Sequence, residues 1–196
     1  MTLKQTASQT VGPFFAYGLT PQQYGYQMTS IADGDLLSPE VAGERIRIEG
    51  RVFDGAGAPM NDAMLEIWQA DAQGRYAHPA DTRGSNTGFK GFGRTGTGTD
   101  PEQRFIFETI KPGSIADGQA PHINVVVFAR GLVNHVYTRI YFSDEAAANA
   151  ADAVFNSVPE ERRQTLLATR TDAPGGPVYR FDIHMQGESE TVFFDV

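Results

Sequence analysis

The chain has 196 residues, no cysteine, and a formal net charge of −8 from 24 acidic and 16 basic side chains. The lack of cysteine excludes disulfides, thiolate metal sites and a cysteine nucleophile. The negative charge argues against a nucleic-acid partner, which ordinarily requires a basic surface. The longest apolar run, Val125 to Ala129, is too short to cross a bilayer, and the first ten residues contain no signal-peptide core. We therefore expect one soluble, cytoplasmic domain spanning residues 1–196, with no nucleic-acid or membrane partner.

Two parts of the chain differ in pattern. Residues 1–43 have no sustained periodicity, but "PFFAYG" is too aromatic for a free tail, so this part is predicted to be an ordered arm. Residues 44–196 contain short runs with period-two alternation that are separated by Gly/Pro turns. Strands are predicted within ERIRIEGRVFD, AMLEIWQAD, RFIFETI, HINVVVFAR, VYTRIYF, VYRFDIHMQG and ETVFFDV, and helices within DEAAANAAD and PEERRQTLLAT.

This pattern predicts an all-β fold, an antiparallel β-sandwich with an ordered N-terminal arm and one or two short peripheral helices. The glycine-rich stretch at residues 84–100 invites comparison with phosphate-binding loops. It lacks their residue order, and no helix follows it, so it is interpreted as a surface loop.

The stretch "APHINVVVFARG" carries the first indication of chemistry. Side chains two residues apart on a strand project from the same face, so His122 and Asn124 should lie side by side. A His-x-His pair would be suited to binding a metal, whereas His-x-Asn supplies half of such a pair.

Five segments in order, LEIWQAD, GRY, TIKPG, PHI and TRIYF, resemble the intradiol ring-cleaving dioxygenases over nearly the whole chain. The arm "SQTVGPFF" and the ending "GESETVFFDV" resemble the α subunit of a heteromeric member. The resemblance implies a β-sandwich and a non-haem Fe(III) that is held by two tyrosines and two histidines. Tyrosinate suits Fe(III) because it is a hard, anionic ligand.

Compared position by position with the iron-binding pattern, the chain retains only part of it. Tyr76 and His122 match one tyrosine and one histidine. Ile115 and Asn124 stand in place of the other two ligands, and Gln119 stands in place of an arginine close to the iron. The resemblance therefore implies that this chain holds no metal and supplies no catalytic residue, and that an iron-binding β subunit carries the Fe(III).

The resemblance also implies what this chain contributes. The heteromeric enzyme cleaves the catechol carboxylate 3,4-dihydroxybenzoate with O₂ to 3-carboxy-cis,cis-muconate, in active sites at α/β interfaces. Glycine allows close backbone approach, proline fixes a loop, phenylalanine offers apolar surface, and arginine can bind a carboxylate. The substrate-binding residues expected from this chain are Thr10, Gly12, Pro13, Phe14 and Arg130.

Other interpretations stay open at this point. Tyr76 and His122 are better explained as ordinary hydrogen-bonded residues than as remaining metal ligands, and Arg130 could instead be a surface arginine paired with an acidic residue. The aromatic residues of the arm suit a subunit interface but could instead cover the chain's own core. For the whole chain, the alternatives are a stand-alone enzyme that rebuilds a metal site around Tyr76 and His122, and a non-catalytic β-sandwich binding module.

Overall fold

The computed structural model describes residues 9–12, 14–84 and 88–195, and strands dominate it. In this part of the chain no helix is both long and apolar enough to cross a membrane. The strands are β1 Arg45–Gly50, β2 Val52–Phe53, β3 Met64–Gln69, β4 Phe92–Gly96, β5 Phe105–Ile110, β6 His122–Phe128, β7 Val136–Phe142, β8 Leu167–Ala173, β9 Gly176–Arg180 and β10 Ile183–His184. The helices are α1 Phe15–Leu19, α2 Ala146–Ala151 and α3 Ala153–Ser157, with 3-10 helices at Pro21–Tyr24 and Glu160–Leu166.

Eight strands follow one another in the order β4-β3-β6-β7-β8-β9-β1-β5, and β2 pairs with β10. The two halves of this order pack against each other. Ile67 of β3 and Val125 of β6 belong to the same buried core cluster as Ile48 of β1 and Phe107 of β5. The predicted all-β sandwich is confirmed.

The strand pairings include both directions. β1 with β5, β3 with β4, β3 with β6, β6 with β7, and β8 with β9 pair in the predicted antiparallel manner. β1 with β9, β2 with β10, and β7 with β8 pair in parallel. The parallel β7–β8 pairing follows from its connection, because a parallel neighbour can only be reached by a crossover and the helical segments between these strands supply one.

The prediction that residues 84–100 form a surface loop is wrong for residues 92–96, which form β4. Low hydrophobicity hid this strand, because its inward-facing residues are small. Gly93 and Thr95 are buried, whereas Phe92 and Arg94 on the other face are only partly covered. A Cβ at Gly93 would meet the end of the Leu36 side chain, so a larger residue here would displace that side chain.

The helices and the last strand in the structure differ in part from those predicted from the sequence. The expected helix in DEAAANAAD is α2. The second expected helix is a 3-10 helix that ends at Leu166, because the chain must then extend for Leu167 to pair with Tyr141 of β7. Within the described residues, the predicted strand at the end of the chain is reduced to a single bridge between Phe194 and Tyr137. α1 and α3 are one-turn helices, too short to produce a periodic signal.

The arm is attached to the edge strand β4. The Gln23 side chain accepts a hydrogen bond from the Gly96 N–H at 2.9 Å and donates to the Gly96 carbonyl oxygen at 2.7 Å, as a paired strand would. The Phe15 ring packs on the Phe128 ring at the end of β6, with 5.7 Å between centroids. These contacts bring the arm to the place where β6 ends.

A buried glutamine joins the two halves of the sandwich. Gln69 of β3 is fully buried and donates to the Ile110 carbonyl oxygen of β5 at 2.9 Å, while the Thr109 hydroxyl donates to its side-chain oxygen at 2.8 Å. A buried donor or acceptor that loses its partner destabilises the fold, because it has been removed from water without gaining a hydrogen bond in return.

We expect Gln69→Met to lower the free energy of unfolding by about 1–3 kcal/mol, because it leaves Thr109 and the Ile110 carbonyl without these bonds. Urea unfolding followed by circular dichroism measures the change. Gln73→Met, at an exposed position, is the control and should shift stability by less than about 0.5 kcal/mol. Equal effects of the two substitutions would contradict this role of Gln69.

Candidate functional site

Tyr76 follows a tight turn that packs against the loop containing Ile115. The Asp71 carboxylate accepts from the backbone N–H groups of Gln73 and Arg75 at 2.9 and 3.0 Å, which closes the turn. Gly74 has a φ of +75°, and a Cβ there would overlap the Ser114 carbonyl, so only glycine fits. The predicted GRY turn therefore forms, and it presents Tyr76 to the outer face of β3 and β6.

Tyr76 and Asn124 meet at this face. The Asn124 amide nitrogen lies 3.4 Å from the Tyr76 hydroxyl, and the Tyr76 ring stacks on Trp68 at 5.7 Å between centroids. Arg139, opposite Asn124 on β7, donates from Nε to the Asn124 side-chain oxygen at 3.1 Å. Burial is the main cause that raises the pKa of Tyr76 above its usual value, so its phenol stays protonated.

His122 is buried in the same strand and makes different contacts. Its Nδ1 lies 2.8 Å from the Ala120 carbonyl oxygen, and its ring packs beside Tyr141 at 5.8 Å between centroids. Burial lowers the pKa of His122 and keeps the imidazole neutral. Nδ1–H then donates to Ala120, and the buried Nε2 has no hydrogen-bond partner among the described residues. Asn124 and His122 lie on one face, as the alternation of β6 predicts.

The donors at this position do not fit Fe(III). Asn124, beside the Tyr76 hydroxyl, offers only a neutral carboxamide, and the Arg139 guanidinium that bonds to Asn124 places a positive charge where a cation would lie. Across residues 9–12, 14–84 and 88–195, His, Asp and Glu side chains form no group of three or more suited to a metal ion.

Three of the predicted substrate-binding residues, Thr10, Gly12 and Arg130, converge at the end of β6. The Gly131 N–H donates to the Thr10 hydroxyl at 3.0 Å, which ties the arm to the residue after Arg130. Gly12 and Arg130 line one open cavity of about 280 Å³, together with Tyr17 of α1. Residues more than a hundred positions apart in sequence are thus neighbours.

Arg130 is paired with an acid in this chain. Its Nε contacts the Asp62 carboxylate, while its side chain stays 60% exposed. In the isolated chain, Arg130 is therefore a surface arginine paired with an acidic residue, which is the alternative given for it from the sequence. Ion pairs this exposed contribute about 0–1 kcal/mol, so the guanidinium can exchange Asp62 for another carboxylate at little cost.

The other two predicted substrate-binding residues are Phe14 and Pro13, and Phe14 is not among the described residues that line this cavity. The Phe14 side chain is 79% exposed, and its ring is tilted at 48° to that of Tyr17, with 6.1 Å between ring centroids. Pro13 lies outside the described residues. The described residues leave most of the Phe14 ring uncovered, so it is available to a partner or ligand.

Sequence reasoning missed the acidic and phenolic wall of this cavity. Asp62 and Asn61 come from the turn before β3, and Tyr24 comes from the arm. Burial raises the pKa of the Tyr24 hydroxyl, and the nearby Tyr17 and Asp62 add to this effect. No local pattern marks these residues. Asp62 meets Arg130 because the antiparallel register of β3 and β6, with Met64 opposite Phe128, brings the turn before β3 beside the end of β6. Tyr24 joins them through the arm.

Comparisons with known proteins agree with this architecture. A family model described as a dioxygenase matches residues 12–187. The chain is 58% identical to the protocatechuate 3,4-dioxygenase alpha chain of Burkholderia cepacia, over 100% of this chain and 99% of that one. It is 32% identical to the protocatechuate 3,4-dioxygenase beta chain of the same organism, over 96% of this chain and 83% of that one.

A solved structure shares the fold. The dioxygenase domain of a dioxygenase carbohydrate-binding protein fusion from Streptomyces sp. SirexAA-E superposes with a TM-score of 0.62 at 28% identity, covering 85% of this chain and 93% of that chain.

Proposed function

We propose, from the premise that this chain belongs to the intradiol ring-cleavage dioxygenase family, that it is the α subunit of a heteromeric protocatechuate 3,4-dioxygenase. Its similarity along its full length to an alpha chain supports this role, and its lower similarity to a beta chain supports a separate partner. The family generally depends on non-haem Fe(III). We place that iron in the β subunit, because the donors around Tyr76 and Asn124 do not suit it.

The reaction proposed for the complex converts 3,4-dihydroxybenzoate and O₂ into 3-carboxy-cis,cis-muconate. The bond between the two hydroxyl-bearing ring carbons breaks, and both atoms of O₂ enter the two new carboxylates. The substrate already carries a carboxylate on the ring, which does not react. Binding that group is a task that this chain can perform without a metal.

The observation that carries this proposal is the meeting of the arm and the β6 end. Thr10 is hydrogen-bonded to Gly131, and Gly12 shares a cavity with Arg130. An exposed guanidinium beside an open cavity is suited to a carboxylate, because charge-assisted hydrogen bonds to carboxylates are about twice as strong as neutral ones. We assign Arg130 to the substrate carboxylate, and Thr10, Gly12, Pro13 and Phe14 to the pocket wall.

The exposed apolar side chains of the arm support a β-subunit interface next to this pocket. Phe14, Tyr26 and Ile31 are 79%, 52% and 85% exposed, and they come from one continuous segment. Phe15, by contrast, is turned onto Phe128 of this chain. The arm thus divides its aromatic residues between its own sheet and a surface that an obligate partner would bury. A cytoplasmic location stays a prediction from the sequence.

Expression of the chain with and without its β partner tests the assignment. We expect substoichiometric iron and no protocatechuate-dependent O₂ uptake for this chain alone. The copurified complex should show stoichiometric iron, the visible tyrosinate-to-Fe(III) charge-transfer band and O₂ uptake. Iron and activity in the chain alone would contradict the assignment, and their absence from the complex would favour a non-catalytic binding module.

Arg130→Ala in the complex tests the pocket. We expect KM for 3,4-dihydroxybenzoate to rise by a factor corresponding to about 1–3 kcal/mol, roughly 5- to 150-fold, because the carboxylate loses a charged partner. Iron content should not change. Arg180→Ala is the matched control, since Arg180 is also exposed and paired with an aspartate, Asp182, and it should leave KM unchanged. Equal KM values for Arg130→Ala and the unaltered complex would remove Arg130 from the site.

A further inference from the structure

A second cavity lies on the outer face of the sheet, apart from the pocket at the end of β6. Its volume is about 470 Å³, within the range of small-molecule sites. Aromatic side chains make up much of its wall. They come from β3, β4, β7 and the last residues of the chain, and they are Trp68, Phe92, Tyr137 and Phe194.

Strand register explains why these residues meet. Trp68 of β3 is opposite Phe92 of β4 and Asn124 of β6, and Asn124 is opposite Arg139 of β7. Four strands therefore present one row of side chains on a single face, with two aromatic rings at one end and a guanidinium at the other. Val126 belongs to the next row and forms part of the cavity wall.

Arg139 supplies a positive charge that no carboxylate contacts directly among the described residues; the buried Asp152 carboxylate lies one hydrogen bond further away, where it accepts from the Tyr141 hydroxyl at 3.3 Å. Its hydrogen bonds go to neutral groups, the Asn124 side-chain oxygen at 3.1 Å and the Tyr141 hydroxyl at 3.4 Å. Among the described residues no carboxylate lies within ion-pair distance of it. Glu66 lines the same cavity but is paired with Arg94 at 2.6 Å. Asp195, also in the wall, is exposed.

We propose that this cavity binds a small aromatic carboxylate of the benzoate class, with its carboxylate on Arg139 and its ring against Trp68 and Phe92. The positive charge selects an anion, and the aromatic wall selects a planar ring over an aliphatic chain. The site is separate from the interface pocket and does not rest on the proposed function, because Arg130 and the arm take no part in it.

The chain carries its own reporter for this test, since Trp68 is its single tryptophan. We expect benzoate to change the fluorescence of the full-length chain saturably. Arg139→Gln should weaken the apparent Kd about tenfold or more, because a charged hydrogen bond is lost. Arg163→Gln should not change it; Arg163 also donates to neutral carbonyl oxygens but does not line this cavity.

Two further variants keep Arg139 in place, so they test the site even if Arg139→Gln does not fold. Val126→Phe should fill the cavity and abolish the response, whereas Asp195→Asn should tighten binding by removing a competing negative charge. Arg130→Ala should leave the titration unchanged, which separates this site from the interface pocket. Circular dichroism checks that each variant is folded.

Three results would overturn the proposal. They are a linear, non-saturating response to benzoate, an equal Kd in folded Arg139→Gln, and an unchanged response in folded Val126→Phe. Phenol and cyclohexanecarboxylate distinguish the two recognition elements. Binding of phenol as tight as that of benzoate would refute the role of the charge, and equally tight binding of cyclohexanecarboxylate would refute the role of the aromatic wall.

Discussion

The pairing of β6 with strands on both sides is the constraint on which the rest of the structure depends. β3 and β7 bind its two edges, so its register cannot slip without exchanging its inner and outer faces. Its inward residues, including Val125, join the core. The same register places Asn124 on the outer face and delivers Arg130 to the arm at the end of the strand.

The outer face of β3, β6 and β7 holds polar side chains that bond to one another. A protonated Tyr76, the amide of Asn124 and the guanidinium of Arg139 satisfy one another where a cation would need anionic donors. The chain keeps the sheet geometry but not the ligands. Its proposed contribution has moved to the strand end, where Thr10 and Gly12 of the arm reach Arg130.

The sequence predicts the strands with strong alternation, such as β3, β6 and β7, because burial on one face requires that pattern. It misses β4, whose inward residues Gly93 and Thr95 are too small to mark a buried face. The family resemblance indicates Arg130 and Gly12 but not Asp62, since the contact between Arg130 and Asp62 depends on the register in which β3 pairs with β6. Arg139 belongs to the quoted segment TRIYF, yet only strand register places it beside Asn124.

A structure of the α/β complex with bound 3,4-dihydroxybenzoate tests the central claim most directly. The measured quantity is the distance from the Arg130 guanidinium to the substrate carboxylate. The account predicts a charge-assisted hydrogen bond of about 2.7–3.2 Å, with Arg130 released from Asp62 and the arm forming one wall of the pocket. An Arg130 that stays on Asp62 while the carboxylate contacts only the β subunit would contradict it.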